Sequence, residues 1–204
     1  WLETAQRTMI FCLKKKVVDN GEWVMKKSGH TIFNTKEKVK RLKGLYEGSK
    51  TLKGMNFKVN TGKIPWNEYK KLLSADEKDT RLIYCGDIKD RKLIKKAYKN
   101  VEKKNYIKKE GKNEIMLIVN RGYGVGRYDF NFCMVDMEEN YLTENHLLCV
   151  RYEEEMGLDK KRELYEKIYN SLGDERTKEF IKLYFGNSAI NATELREIIP
   201  MYSD

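Results

Sequence analysis

The chain has 204 residues, and 41 Lys plus Arg against 31 Asp plus Glu give it a formal net charge of +10. Hydrophobic residues at 40% suffice for the core of one domain or two small ones and exclude disorder and collagen-like repeats, while 35% charged with a positive excess points to an anionic partner. No run approaches the roughly 18 apolar residues needed to cross a bilayer, and the chain opens on Trp1 with no basic-then-apolar leader, so it reads as a soluble, cytoplasmic piece excised from a longer polypeptide.

In chain order, the apolar run Thr8 to Lys16 (TMIFCLKKK) and the short pieces Glu22 to Met25 and Thr31 to Phe33, separated by Asn20-Gly21 and Ser28-Gly29, predict sheet over the first 33 residues. Asn34 or Thr35 is a suitable N-cap, and Val39, Leu42, Leu45 and Tyr46 recur at helical spacing until Gly48, which predicts a basic connecting helix. Met55 to Val59 reads as a strand, Thr61-Gly62 as a turn, and Pro65 as the start of a turn or short helix carrying Trp66, Asn67 and Tyr69. Arg81 to Cys85, Glu114 to Val119 and His146 to Tyr152 read as strands, and Arg127 to Val135 as the strand returning from a glycine-rich connection. Leu164, Ile168 and Leu172 form a helical stripe ended by Gly173, and Phe180, Ile181, Tyr184 and Phe185 form a second between Asp174 and Gly186. Thr193 is the expected cap of a last short helix ending near Pro200, and the whole predicts an α+β fold.

Charge is segregated. Residues 1–33 carry 6 Lys/Arg and 3 Asp/Glu, residues 34–112 carry 24 and 10, and residues 113–204 carry 11 and 18, so the segments balance at +3, +14 and −7. Lysine is an ordinary surface residue, but a block this asymmetric is an electrostatic footprint. Cys12, Cys85, Cys133 and Cys149 lie in apolar, strand-like runs and read as reduced core thiols; with only His30 and His146 and no C-x-x-C, no metal site is expected.

Several constellations carry possible chemistry. Gly122, Gly124 and Gly126 follow an apolar strand, but a dinucleotide loop requires a helix next, and Tyr128, Phe130, Phe132 and Met134 alternate as a strand. The loop is then a bulged turn needing positive φ, or a place where backbone approaches DNA while Arg121 and Arg127 project with Tyr123 between them. Lys63, Trp66, Asn67, Tyr69 and Lys70 combine cation, amide and aromatic groups that suit nucleotide contact, although Trp66 and Tyr69 fit equally as core anchors of the turn. Asn187-Ser188 can donate to a phosphate or complete a cap, and the glycosylation acceptor Asn191-Ala192-Thr193 is discounted in a cytosolic chain. Asp87 or Asp90 with Glu102-Lys103-Lys104 or Glu110-Gly111-Lys112 loosely fits a metal-dependent nuclease, the enzyme alternative. A protein-interaction domain is the other rival class.

The stretch from Asn113 onward resembles the target-recognition domains of type I restriction specificity subunits and of N6-adenine DNA methyltransferases. The matching pieces are Glu114 to Tyr128 (EIMLIVNRGYGVGRY), Asn145 to Val150, and Phe180 to Met201 (FIKLYFGNSAINATELREIIPM). Upstream, Thr61 to Ser74 with Thr80 to Asp90 is similar to the opening of the recognition domain in the methyltransferase branch, and Thr8 to Lys16 to the final strand of its catalytic sheet.

The resemblance implies three parts: residues 1–33 as the end of a catalytic-domain-like sheet, 34–53 as a basic connecting helix, and 54–204 as a target-recognition domain of mixed, mostly antiparallel β-sheet with C-terminal helices. The family's catalytic (Asn/Asp/Ser)-Pro-Pro-aromatic motif is absent, since Pro65 and Pro200 are the only prolines, and its S-adenosylmethionine loop has no good match. The implied function is sequence-specific double-stranded DNA binding as the non-catalytic recognition part of an adenine-specific methyltransferase of a restriction-modification system. The implied partners are DNA and a methyltransferase catalytic domain of the same parent polypeptide, with S-adenosylmethionine expected there and no cofactor in this chain. The DNA-binding residues expected are Lys63, Trp66, Asn67, Tyr69, Arg121, Tyr123, Arg127, Asn187 and Ser188, with Arg121, Arg127 and Asn67 as base readers.

Overall fold

The computed structural model describes residue 15 and residues 21–122, 130–184 and 189–202. The first described elements are a hairpin of β1 (Val24–Lys27) and β2 (His30–Phe33). Its two-residue turn places Ser28 at φ 49° and Gly29 at φ 79°, the twisted geometry that suits adjacent antiparallel strands. Met25 and Ile32 point inward and are buried. Helix α1 (Lys36–Leu45) starts where Thr35 accepts from the Lys38 amide at 3.5 Å, and Val39, Leu42 and Leu45 form its buried stripe. The strand expected at Thr8 to Lys16 lies, apart from residue 15, outside the described residues.

The main sheet is antiparallel, in the order β10 (Phe132–Val135), β9 (Met116–Asn120), β12 (Leu147–Tyr152), β3 (Phe57–Thr61). Because side chains alternate along a strand, the two faces of β9 and β12 can be read off in sequence. Leu117, Val119, Leu148 and Val150 face the helices in the largest core; Met116, Ile118, Leu147 and Cys149 face a second sheet. The two central strands are thus apolar throughout, as strands buried on both faces must be. Burial also pushes the Cys133 thiol up to about 12 and raises that of Cys149, so both are inert core groups, as expected of them; Cys85 is half-buried.

The second sheet has the order β11 (Tyr141–Thr143), β5 (Thr80–Ile83), β8 (Tyr106–Ile107), β4 (Leu73–Ser74), with β11 parallel to β5 and the remaining pairs antiparallel. A small hairpin, β6 (Ile88–Lys89) and β7 (Lys92–Leu93), follows a 3₁₀ turn at Cys85–Asp87. On the outer side of this sheet Leu82, Tyr84 and Ile107 form a third cluster, with Ile64, on which Trp66, Tyr69 and Tyr98 pack.

Helices α2 (Leu158–Leu172), α3 (Glu175–Tyr184) and α4 (Ala192–Glu197) cover the first face of the main sheet, so the fold is α+β with mostly antiparallel strands. Three local expectations shift. The strand read at Met55–Val59 begins at Phe57, because Lys53–Met55 close a 3₁₀ turn that Asn56 ends with φ 59°. Thr61-Gly62 is no turn: the Gly62 amide donates to the Leu147 carbonyl at 2.8 Å and carries the strand on. The last helix is capped by Asn191, whose side chain accepts from the Glu194 amide while Glu194 reaches back to the Asn191 amide, a reciprocal box that Thr193 cannot form from inside the helix.

The core does not break at residues 33 or 53. Val39, Leu42 and Leu45 pack in the same cluster as Leu117, Leu148, Phe180 and Leu195. Arg41 grips Glu179 through two bonds of 2.6 Å, and the Tyr202 hydroxyl donates to the Leu45 carbonyl at 2.7 Å. The basic helix is therefore a structural member of the fold as well as a link in the chain.

Candidate nucleic-acid interface

Strand register decides which loops share an end of the main sheet. Leu147 pairs with Asn120, Leu148 with Thr61 and Val119 with Phe132, so the C-terminal ends of β3 and β9 meet the N-terminal ends of β12 and β10. At the opposite end Tyr152 pairs with Phe57 and Val135 with Met116. The two ends differ in charge. Glu114, Asp136, Glu138, Glu139, Glu153, Glu154 and Glu155 lie just beyond the second end, whereas Lys63 and Arg121 lie just beyond the first. Three of those acids are paired, Glu114 with Arg151, Asp136 with Arg162 and Glu153 with Lys58, and Glu144 lies buried against His146 at the first end. The polarity therefore rests on exposed side chains that enter no ion pair or hydrogen bond among the described residues: Glu138, Glu139 and Glu155 at one end, Lys63 and Arg121 at the other.

The first end is built by a double crossing between the sheets. Leaving β3, Gly62 donates to Leu147 and Ile64 to the Thr143 carbonyl at 3.1 Å; returning from β11, the Asn145 amide donates to the Ile64 carbonyl at 3.1 Å. The two backbones approach so closely that a Cβ on Gly62 would stand 2.1 Å from the Glu144 carbonyl oxygen, which is why glycine occupies the crossing. Next to it the Arg121 amide donates to the His146 carbonyl and the Ile190 amide to the Arg121 carbonyl, both at 2.9 Å, and Gly122, at φ 80°, bridges Ala189. The segments flanking the glycine-rich loop and the Asn187-Ser188 loop are thus paired with each other.

Of the expected contact residues, Lys63, Asn67 and Arg121 have exposed side chains that enter no ion pair or side-chain hydrogen bond among the described residues. Trp66 and Tyr69 are half-buried on Ile64, Leu82, Tyr84 and Ile107, so the core-anchor reading holds for part of each ring. Their outer surfaces meet cations: the Lys70 ammonium lies 5.9 Å from the Trp66 ring centre, and that of Lys109 lies 4.4 Å from Tyr69. Tyr123, Arg127, Asn187 and Ser188 lie outside the described residues.

The structure adds residues that sequence reading passed over. His146 sits in the crossing with Nδ1 2.5 Å from Glu144 Oε1, and its own amide donates to Oε2 at 3.1 Å. Glu144 is almost fully buried, so its carboxylate fixes the orientation of the imidazole beside Arg121. The spacing E-x-H in a loop between strands was the available signal. Tyr98 and Lys103 join Trp66 and Tyr84 in one cluster, and the interleaving of lysine and aromatic residues in KKAYKNVEKKNY was the trace of it.

Of the two aspartates in the nuclease alternative, Asp90 is exposed, and Asp87 is fully buried and committed to the protein. It accepts from the Arg81 guanidinium and the Tyr84 amide at 3.1 Å and from the Tyr98 hydroxyl at 2.7 Å. Its partner Glu102 in that alternative pairs with Lys70 at 2.7 Å. Among the described residues no group of three or more His, Cys, Asp or Glu is placed to hold a metal ion, and no helix is long and apolar enough to cross a membrane. No protein-family model and no curated protein matches this chain.

Proposed function

We propose that this chain binds double-stranded DNA in a sequence-dependent manner, as the target-recognition part of an adenine-specific DNA methyltransferase. The observation that carries the reading is the charge polarity of the main sheet. Its anion-attracting end bears exposed Lys63, Asn67 and Arg121 next to Gly122 and Ala189, which pair with each other. Loops at the end of a rigid sheet are suited to enter a groove, where arginine reads guanine and asparagine reads adenine bidentately while lysines set register on phosphates. On this reading methyl transfer and its S-adenosylmethionine belong to a separate catalytic domain, and this chain supplies position and specificity.

The test is selection of bound duplexes from a random pool at two salt concentrations. Enriched sites with an affinity that falls steeply with salt are expected. Arg121→Ala should cost about 1–3 kcal/mol on the selected site and relax the preference at one position. Equal affinity of wild type and Arg121→Ala for selected and scrambled duplexes overturns the reading.

A further inference from the structure

On the outer face of the second sheet, beside the same crossing, lysine ammonium groups lie over aromatic rings. The Lys103 ammonium stands 4.1 Å from the Tyr84 ring centre, 4.3 Å from that of Tyr98 and 5.6 Å from that of Trp66. Lys96 lies 6.0 Å from the ring centre of Tyr98, and Lys70, which is paired with Glu102, lies 5.9 Å from that of Trp66. Among the described residues, Lys96, Lys99, Lys103 and Lys104 have no acidic ion-pair partner, although four like charges within nine positions repel one another.

The rings themselves are held firmly. Tyr98 donates its hydroxyl to buried Asp87, its ring meets Tyr84 edge-on with centres 5.0 Å apart, and the Tyr84 hydroxyl donates to the Lys104 carbonyl at 2.7 Å. The loop that carries Tyr98 and the lysines is tied to the same residue and its partner, since the Ile94 amide donates to the Asp87 backbone carbonyl at 2.8 Å, the Lys96 amide to the Asp87 carboxylate at 3.4 Å, and Arg81 to the Asn105 carbonyl at 3.3 Å. Rigid aromatic rings overlain by flexible lysine ammonium groups are poor as a hydrophobic seal. They suit a ligand that brings flat π-faces and negative charge together, because Lys96 and Lys103 can swing from a ring to a phosphate without losing an ion-pair partner, while Lys70 stays paired with Glu102.

We propose that Trp66, Tyr98 and Lys103 form a stacking platform for unpaired nucleotides, distinct from the duplex-reading end of the main sheet. A base displaces Lys103 from the ring faces and stacks on Trp66 or Tyr98, while Lys96, Lys99, Lys103 and Lys104 follow the phosphates. A duplex cannot use this platform with its bases paired, so the ligand is single-stranded DNA or RNA.

The experiment uses the full chain with Trp1→Phe and Trp23→Phe, which leaves Trp66 as the sole tryptophan. Oligodeoxyuridylate and oligouridylate, which form no duplex and differ only in the 2′-hydroxyl, are titrated while Trp66 emission is followed, and the tighter of the two identifies the preferred sugar. Saturable quenching is expected. Tyr98→Leu should weaken binding roughly 5- to 150-fold, the range for losing one stacked base, while Tyr98→Phe, which keeps the ring, should bind within about twofold of the parent. Lys103→Gln should lower the slope of log affinity against log salt by about 0.7, one phosphate contact to a single strand. Unchanged Trp66 emission at saturating concentrations of both oligomers overturns the platform without requiring any cluster variant to fold, and so does wild-type affinity in Tyr98→Leu. Selection of duplex sites without quenching would remove this proposal and leave the duplex reading intact. Quenching without duplex binding would do the reverse.

Discussion

Removing the Asp87 carboxylate strands a buried guanidinium, and the cost can be worked from the geometry. Arg81 is 5% exposed and Asp87 is inaccessible to solvent, so neither charge can turn to water when its partner is lost. Breaking such a pair from one side costs about 3–5 kcal/mol, most of it the desolvation of the charge left behind. Asp87→Ala should therefore lower the unfolding free energy by that amount, and Asp87→Asn, which still offers an acceptor to Tyr98, by about 1.5–3 kcal/mol. Adding Arg81→Met to Asp87→Ala should recover the part due to the stranded charge and leave about 1–3 kcal/mol for the Tyr84 amide and the Tyr98 hydroxyl that remain without Asp87 as acceptor. Urea unfolding with a constant slope is the assay. A loss below about 1 kcal/mol in Asp87→Ala, or a second loss instead of a recovery on adding Arg81→Met, would refute the argument. The same variants separate a structural from a metal-binding carboxylate. A metal ligand would make the wild-type unfolding midpoint rise with Mg²⁺ by mass action, and a sealed carboxylate leaves it unmoved.

Gly62→Ala must force the two crossing backbones apart, because the nearest atoms to the new Cβ are the carbonyl oxygen and carbon of Glu144; a loss of about 1–3 kcal/mol or more in thermal unfolding is expected, and an unchanged melting temperature would contradict the close approach. Asn191→Ala removes the side-chain half of a reciprocal cap, leaving only the residue-191 amide donating to Glu194, and should cost about 0.5–2 kcal/mol, whereas Thr193→Ala, inside the helix, should stay within about 0.5 kcal/mol; the reverse order would assign the cap to Thr193. The side-chain bond from Arg176 holds the Asp174 carboxyl below its usual range, and that from Arg41 does the same for Glu179. Both folded-state values are depressed, so their stabilisation is complete above the unfolded values near about 4 and is lost as pH falls through the lowered ones. Arg176→Gln with Arg41→Gln should flatten the acid limb of stability against pH, and an acid limb of wild-type steepness would show that these pairs contribute nothing.

Elements whose causes are local were legible in the sequence. Helix α1 follows from a threonine cap and a Val39, Leu42, Leu45 stripe, and β9 and β12 from continuous apolar runs of strand length, too short for a helix. Strands β4, β6, β7 and β8 have two residues each, too few for any period to show, and they exist because longer neighbours offer them an edge. Gly62 was misread for the complementary reason. A glycine beside a threonine has the local signature of a turn, but the contact that requires it is the Glu144 backbone, 82 positions away in sequence. Asp87 looked like any acid in a chain with 35% charged residues, and only its contacts with Arg81 and Tyr98 give it a role.

Charge shows most clearly how a sequence signal changes meaning when the chain folds. By segment, the last 92 residues are acidic, with 11 Lys/Arg against 18 Asp/Glu, and would be expected to repel nucleic acid. Antiparallel pairing sorts most of the strand-flanking acids by strand end instead of by position in the chain: Glu114, Asp136, Glu138, Glu139 and Glu153 to Glu155 are gathered at one end, while at the other Glu144 is buried against His146 and Arg121, from the same acidic segment, is exposed at the end that also carries Lys63 from the basic one. The acids then work in favour of the interface, because they repel phosphate from the wrong end of the sheet and leave Lys63 and Arg121 as the end a polyanion meets. Reversing that polarity with Glu153→Lys, Glu154→Lys and Glu155→Lys should increase salt-sensitive, sequence-independent duplex affinity while leaving the selected site unchanged. A change in the selected site would place base reading at the acidic end and remove Arg121 from it.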